Sequence, residues 1–361
     1  MKKNNINSLQ IGALVVSIIT AVIMGLGILN ASVIARVDAY IATIISTILG
    51  FIPIILMLYI ANFKPNLNIK EKINNLFGKK IGFIINLIIT IIIAIIAITT
   101  LFSVVNFIVS QFLSNTPIIY IAAFFGILTI YALTKGIETI SRSSLILITI
   151  AMVLFIFFTL CLTNEFEIDN LKPFLEFGIE RPLIGGFTTM LMVSIPIFTI
   201  LMIPKNNIID KKNYNKAIII SYIIGAVTII IISTLTIGIL GQYLSDIYQY
   251  PEYIVLKKIK LFDFIDRIEN MVCIHWIIST FITICMCSYY ITNTIKKNDK
   301  PKKLAILIVS LIVILSIYVF KNNTAFNMYI VHIYPYILSV LLLLIIIISI
   351  AIKFKKNKIN H

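Results

Sequence analysis

Long apolar stretches alternate with short polar stretches along the whole chain of 361 residues. Each apolar stretch is close to the roughly 20 residues that an α-helix needs to cross the hydrocarbon of a bilayer, and charged side chains lie near the stretch ends. The pattern predicts an all-α integral membrane protein with ten transmembrane helices, accurate to a few residues at each boundary. They cover residues 10–35, 39–61, 81–110, 118–133, 144–163, 182–203, 216–240, 269–292, 303–320 and 328–352.

The composition supports this prediction. Hydrophobic residues make up 60% of the chain and charged residues 12%, whereas soluble domains have about one half and one quarter. These values exclude a soluble globular protein. The formal net charge of +15 would suggest a nucleic-acid partner in a soluble protein, so the placement of the charges decides its meaning.

Basic residues are concentrated in alternate loops. Most of the 30 Lys and Arg lie in the two terminal segments and in every second loop between them. Cytoplasmic loops carry this excess in membrane proteins, so we predict that both termini are cytoplasmic. Basic clusters at 296–303 and 353–358 border hydrocarbon, where they attract anionic lipid headgroups. We therefore expect anionic membrane lipids as partners and no nucleic acid.

The segments between the spans are too short to form a further domain, so we predict a single transmembrane domain covering 1–361. Two of them, 164–181 and 242–268, are predicted extracytoplasmic loops. Loops longer than about 12 to 15 residues are usually functional or disordered, and we favour partner-facing or lid-like surfaces over plain connectors. The segment 68–80 is expected to form a short helix on the cytoplasmic membrane surface, with Ile69 and Ile73 among the residues turned towards lipid.

Two spans are interrupted. The first contains Gly25, Leu26 and Gly27, and the sixth contains Ser194-Ile195-Pro196, followed by Thr199. Proline removes a backbone hydrogen bond and crowds the preceding turn, and irregular backbone at membrane depth is tolerated only where protein or a wet cavity covers it. Taken singly, close helix packing explains the glycines and a simple kink explains the proline.

The positions of the two interruptions carry more information than either alone. They fall in the first and sixth of ten spans, so the chain divides into two halves of five helices, at about 10–163 and 182–352. An odd number of helices makes the halves an inverted repeat, and matching interruptions indicate a transporter-type site near the midplane. Amides at 25–27 could receive a carboxylate and carbonyls around Ser194 an ammonium group. The hypothesis is a small amphoteric ligand such as an amino acid.

Ionisable side chains are nearly absent within the spans, which argues against a proton relay. Arg267 and Glu269 lie where span eight begins, and an interfacial ion pair is favoured there over a gating role. His275, next to the only tryptophan, Trp276, is expected to be a satisfied interfacial side chain rather than a metal ligand.

Further along span eight, Thr283 and Cys287 lie four residues apart and therefore share one face of the helix. They are candidates to line a cavity. The four cysteines have no partners at zinc-ligand spacing, so no metal or cofactor is expected. The sequence also lacks a catalytic triad, a phosphate loop and paired catalytic carboxylates, so we do not expect an enzyme.

Several short strings carry a family signature. They are 25–29, 38–40, 116–117, 135–142, 170–174, and 264–269 followed by Trp276. In order and spacing they resemble the endospore germination permeases, the B subunits of GerA-type nutrient germinant receptors, which are distant relatives of amino acid/polyamine transporters. The string 135–142 is similar to the family's Gly-hydrophobic-Glu…Arg loop, which implies a gating or structural role for Glu138 and Arg142, as the string 264–269 does for Arg267 and Glu269.

The resemblance implies a LeuT-like bundle of ten helices in the inner membrane of a spore. It implies a protein that senses a nutrient germinant together with A-type and C-type receptor subunits. The implied ligand-binding positions are Gly25, Leu26 and Gly27, the region from Ser194 to Thr199, and Thr283 with Cys287. The chain departs from the family in having Ser32 where proline is common and Pro196-Ile197-Phe198 where Gly-x-Glu is common. A secondary amino acid transporter is the alternative function, since both functions need the same cavity.

Overall fold

The computed structural model describes residues 6–23, 28–258, 269–295, 301–320 and 322–357, and these form an all-α fold. The α-helices in chain order are α1 (Ser8–Thr20), α2 (Ile28–Ala35), α3 (Ala39–Asn62), α4 (Ile69–Gln111), α5 (Ile118–Lys135), α6 (Ile137–Cys161), α7 (Glu180–Ser194), α8 (Tyr214–Ile247), α9 (Pro251–Leu256), α10 (Glu269–Ile295), α11 (Pro301–Val319), α12 (Asn323–His332) and α13 (Tyr334–Asn357).

Within the described ranges, nine helical segments are long and apolar enough to cross a membrane. The helix α1 is also apolar but has only 13 residues. The first predicted span, 10–35, is therefore two helices, α1 and α2, and the residues between them at 24–27 lie outside the described part. The helix α2 leads through one 3-10 turn into α3, so one continuous apolar stretch runs from Ala31 to Asn62.

Both ends of the described chain lie at the same end of the helix bundle. Ile6 forms an isolated bridge with Ile208, and Lys355 Nζ of α13 donates to the Asn75 carbonyl at 2.6 Å. We call this the terminal end and the opposite one the loop end. The segments 164–181 and 248–258 lie at the loop end because they follow α6 and α8, which both run away from the terminal end.

The predicted surface helix at 68–80 is the first part of α4, which kinks at Gly78, where φ is 77°. The expectation that Ile69 and Ile73 face lipid is wrong, because both are fully buried in the core. Lys72, one turn along, explains the difference. Its ammonium group donates to two carbonyls at the end of α3, at 2.9 Å each, and so holds this segment against the protein.

The sixth span packs closely on the second through a pair of glycines. A Cβ built on Gly186 of α7 would lie 2.7 Å from Ile45 Cγ2 and 2.9 Å from the carbonyl oxygen of Ala42, both on α3. A Cβ on Gly185 would meet only methyl groups, those of Ala35 and Ala42 at 3.4 Å. Only the second glycine is therefore required by backbone contact.

We expect Gly186→Ala to destabilise the fold by about 1–3 kcal/mol, because the added methyl group must push the α3 backbone away. Gly185→Ala is the matched control. It should be neutral or stabilising by up to about 1 kcal/mol, since alanine favours helix over glycine. Thermal unfolding of the purified variants in detergent measures both, and equal losses would contradict the assigned packing.

Candidate functional site

The interruption predicted in the sixth span is present. The helix α7 ends at Ser194, and the chain continues as a 3-10 helix from Ile195 to Met202, with Pro196 in its first turn. All eight residues of the 3-10 helix are buried. Thr199 donates its hydroxyl hydrogen to the Pro196 carbonyl at 2.9 Å, so a carbonyl within the irregular segment is satisfied from the same segment.

Two polar side chains meet where the helix type changes. The Ser194 hydroxyl is fully buried and makes no well-formed hydrogen bond within the described chain. The Tyr222 hydroxyl lies beside it and donates to the Thr47 carbonyl at 2.7 Å. A Cβ on Gly50 would collide with both hydroxyls, so the absence of a side chain at Gly50 makes room for them.

The first span is held at its interruption by span eight. The indole N–H of Trp276 on α10 donates to the carbonyl of Ala21 at 2.8 Å, just beyond the end of α1. One turn away, Thr20 Oγ1 and Ser279 Oγ lie 2.8 Å apart. Thr20 donates its own hydrogen to the Val16 carbonyl at 2.9 Å, so Ser279 supplies the hydrogen between the two hydroxyls. The predicted residues Gly25, Leu26 and Gly27 lie outside the described part.

Two other predicted ligand-binding residues, Thr283 and Cys287, lie on α10 beyond its contact with α1. Thr283 is buried on α10 and donates to the Ser279 carbonyl at 2.8 Å, and Cys287 is fully buried one turn further. The 3-10 helix of the sixth span contacts both α1 and α10, and the rings of Phe198 and Tyr290 lie 6.1 Å apart across this contact. The helix α1, the 3-10 helix of the sixth span and α10 therefore converge.

The electrostatics of this region are set by dipoles. Neither α1 nor the 3-10 helix carries an ionisable side chain. The polar groups of these two segments are therefore backbone groups, hydroxyls such as those of Thr20 and Thr199, and one side-chain amide at the start of α1.

The residues expected to have a gating or structural role are only partly described. Glu138 and Arg142 form a pair at 3.9 Å near the start of α6, with partly exposed side chains, and such surface pairs contribute about 1 kcal/mol or less. Arg267 lies outside the described residues, and so does the side chain of Glu269.

The loop 164–181 is tied to the bundle by residues of two family strings. Asp38, at the start of α3, accepts the backbone N–H of Leu175 at 3.0 Å. Asn170 donates its side-chain amide to the Gly238 carbonyl on α8 at 2.9 Å. Both residues therefore fix the loop over the loop end of the bundle, which fits a lid-like surface better than a solvated connector.

The predicted loop 242–268 begins with an extension of α8 and then forms α9; it is described as far as residue 258. Tyr250 accepts the side-chain amide of Asn106 at 2.7 Å. The rings of Tyr250 and Tyr253 stand edge-on to Phe107 of α4, with centroids 5.0 and 5.4 Å away. Part of the tyrosine-rich segment is thus packed inside the protein.

The contacts made by three residues, Trp276, Asp38 and Tyr222, were not predicted from the sequence. Trp276 gave a usable signal, because a buried indole N–H requires an acceptor and the nearest irregular backbone was in span one. Asp38 was recognised only as part of a family string. Tyr222 gave no signal, since a single tyrosine in an apolar run is typical of any membrane helix.

A double-mutant cycle tests the contact between α1 and α10. We expect Thr20→Val and Ser279→Ala to couple by about 0.5–1.5 kcal/mol in the free energy of unfolding, the usual net contribution of one hydrogen bond. Thermal or denaturant unfolding of the two single variants and the double variant gives the coupling.

Thr280→Val provides the control for this cycle, because Thr280 donates to carbonyls of its own helix, Trp276 at 3.0 Å and Ile277 at 2.9 Å. Its coupling to Thr20→Val should be near zero. Additivity of Thr20→Val and Ser279→Ala would show that the two hydroxyls do not interact.

The sequence is similar to known proteins over most of its length. The family profile described as "Spore germination protein" matches residues 8–327. Spore germination protein KB of Bacillus subtilis (strain 168) is 26% identical over 79% of this chain and 78% of its own length. Spore germination protein YndE of the same strain is 25% identical over 84% and 85%, and spore germination protein XB of Bacillus anthracis is 20% identical over 62% and 63%. The chain belongs to the spore germination protein family of membrane permeases.

Proposed function

We propose that the chain is the nutrient-sensing subunit of a spore germinant receptor, built on a transporter scaffold. The proposed ligand is an amino acid bound between the interruptions of spans one and six and the facing side of α10. The observation that carries the proposal is the change from α-helix to buried 3-10 helix at Ser194, beside a hydroxyl-lined contact with Tyr222.

The proposed recognition uses both charges of the ligand. The carboxylate is received by amides at 25–27, and the ammonium group by Ser194 and the carbonyls next to it. Thr199, Thr283 and Cys287 line the remaining wall. Phe198 stands where the family commonly has an acid, so this site would bind its ligand without a buried carboxylate.

The proposed setting follows from the family and the charge pattern. We place the chain in the spore inner membrane, with ten spans in a LeuT-like 5+5 inverted repeat and both termini cytoplasmic. A-type and C-type receptor subunits are the proposed protein partners. Anionic lipids border the basic terminal end.

Replacing Ser194 separates ligand binding from stability. We expect Ser194→Ala spores to need about tenfold or more of the amino acid for half-maximal germination, because a hydrogen bond to a charged group contributes about 1.5–3 kcal/mol. The unfolding temperature should change little, since this hydroxyl makes no well-formed hydrogen bond within the described chain and lies only beside the Tyr222 hydroxyl, which keeps its bond to Thr47. The measurement supplies the twenty protein amino acids singly to spores lacking other germinant receptors.

Ser233→Ala is the matched control, because Ser233 on α8 is equally buried and its hydroxyl is also without a partner in the described chain. It should leave the response unchanged. An unaltered response of Ser194→Ala would reject the site. Saturable uptake of a labelled amino acid by the chain alone in proteoliposomes would instead support the transporter function.

A further inference from the structure

A small cavity lies at the loop end of the bundle, and its lining includes none of the described residues of the proposed germinant site. It lies between α6, α8, α9 and α10, and its volume is about 30 Å³, enough for about two water-sized species. Most of its lining is apolar. The ionisable residues in the described lining are Glu252 on α9 and His275 on α10.

Glu252 and His275 carry buried polar atoms that have no hydrogen-bond partner on another described residue. Their residues are 3% and 4% exposed. Neither carboxylate oxygen of Glu252 bonds another described residue, and the same is true of His275 Nε2. The expectation that His275 is satisfied is therefore wrong. Buried polar groups nearly always have a partner, so these atoms point to a bound species that forms hydrogen bonds with them.

The residues that line the cavity favour an ammonium group over a metal ion. Glu252 and His275 both line a space the size of a small cation, and Trp276 and Phe155 line it with aromatic rings, which attract cations. A divalent metal needs more ligands, and the described residues contain no cluster of three or more His, Cys, Asp or Glu. A primary ammonium group has three N–H donors, one positive charge and the required size.

We propose that this cavity binds an ammonium group, supplied by the ammonium ion or by a small primary amine. The carboxylate of Glu252 and Nε2 of His275 accept its three hydrogens. Ile23, next to the first interruption, also lines the cavity, and Trp276 is bonded to Ala21. Occupation of the cavity would therefore stabilise the junction between α1 and α10.

Burial raises the pKa of Glu252 to about 8, which adds a pH dependence. Below that pH, the empty cavity contains a neutral carboxyl group, and the cation must displace one proton. The apparent Kd should therefore fall about tenfold for each unit of pH between 6 and 8, and level off above. His275 is the other titratable side chain in the described lining. Further titratable groups lie on the same loop at Tyr250, Tyr253, Lys257 and Lys258.

Thermal unfolding of the full chain in detergent tests the proposal. At pH 8, we expect ammonium and methylammonium chloride to raise the unfolding temperature, and sodium, potassium and tetramethylammonium chloride at equal ionic strength to do so much less. Glu252→Gln should abolish the difference. Glu176→Gln, on the exposed loop, should retain it.

Glycine distinguishes the source of the ammonium group. A shift with methylammonium but no Glu252-dependent shift with glycine assigns the cavity to free ammonium-type cations. A glycine shift that Glu252→Gln abolishes assigns the cavity also to the head of an amino acid, whereas a glycine shift that Glu252→Gln retains comes from the proposed germinant site. Equal shifts with potassium, a full response of Glu252→Gln, or a wild-type affinity that does not change between pH 6 and 8 would each overturn the proposal. The last measurement needs no variant.

Discussion

A carbonyl that leaves its helix within hydrocarbon must find another donor, and Trp276 is that donor for Ala21. The same indole stands edge-on to Phe107 of α4 at 4.9 Å, and Phe107 in turn packs against Tyr250 before α9. One side chain thus connects the first interruption, α10 and the loop end of the bundle. The position of each of these parts depends on the others.

The two interruptions are stabilised in different ways. In the sixth span, the 3-10 helix satisfies part of its own backbone, as the bond from Thr199 to Pro196 shows. In the first span, the Ala21 carbonyl and the Thr20 hydroxyl accept hydrogen bonds from another helix, from Trp276 and Ser279, and Thr20 also donates to Val16 within α1. Separating α1 from α10 would leave Ala21 without its donor. The stability of the chain at the end of α1 therefore depends on how α1 packs against α10.

The sequence was sufficient to predict the all-α membrane fold and the break at Ser194-Ile195-Pro196, because hydropathy and proline act locally. It was not sufficient for contacts that depend on the arrangement of distant helices. Ile69 and Ile73 have the pattern of a lipid-facing surface, and only the bonds of Lys72 to the end of α3 turn them inwards. Glu252 was missed for the same reason: its burial depends on where α9 lies against α8 and α10.

The lysines at the terminal end have two physical roles. Both Lys70 and Lys72 lie in a segment that the charge rule assigns to the cytoplasm. They also cap helices: Lys72 donates to carbonyls at the end of α3, and Lys70 donates to the Thr294 carbonyl at the end of α10 at 2.7 Å. Carbonyls in the last turn of a helix lack partners within the helix and attract positive charge. Moving these lysines to the other side of the membrane would therefore also remove two helix caps, so orientation and stability are coupled at this end of the protein.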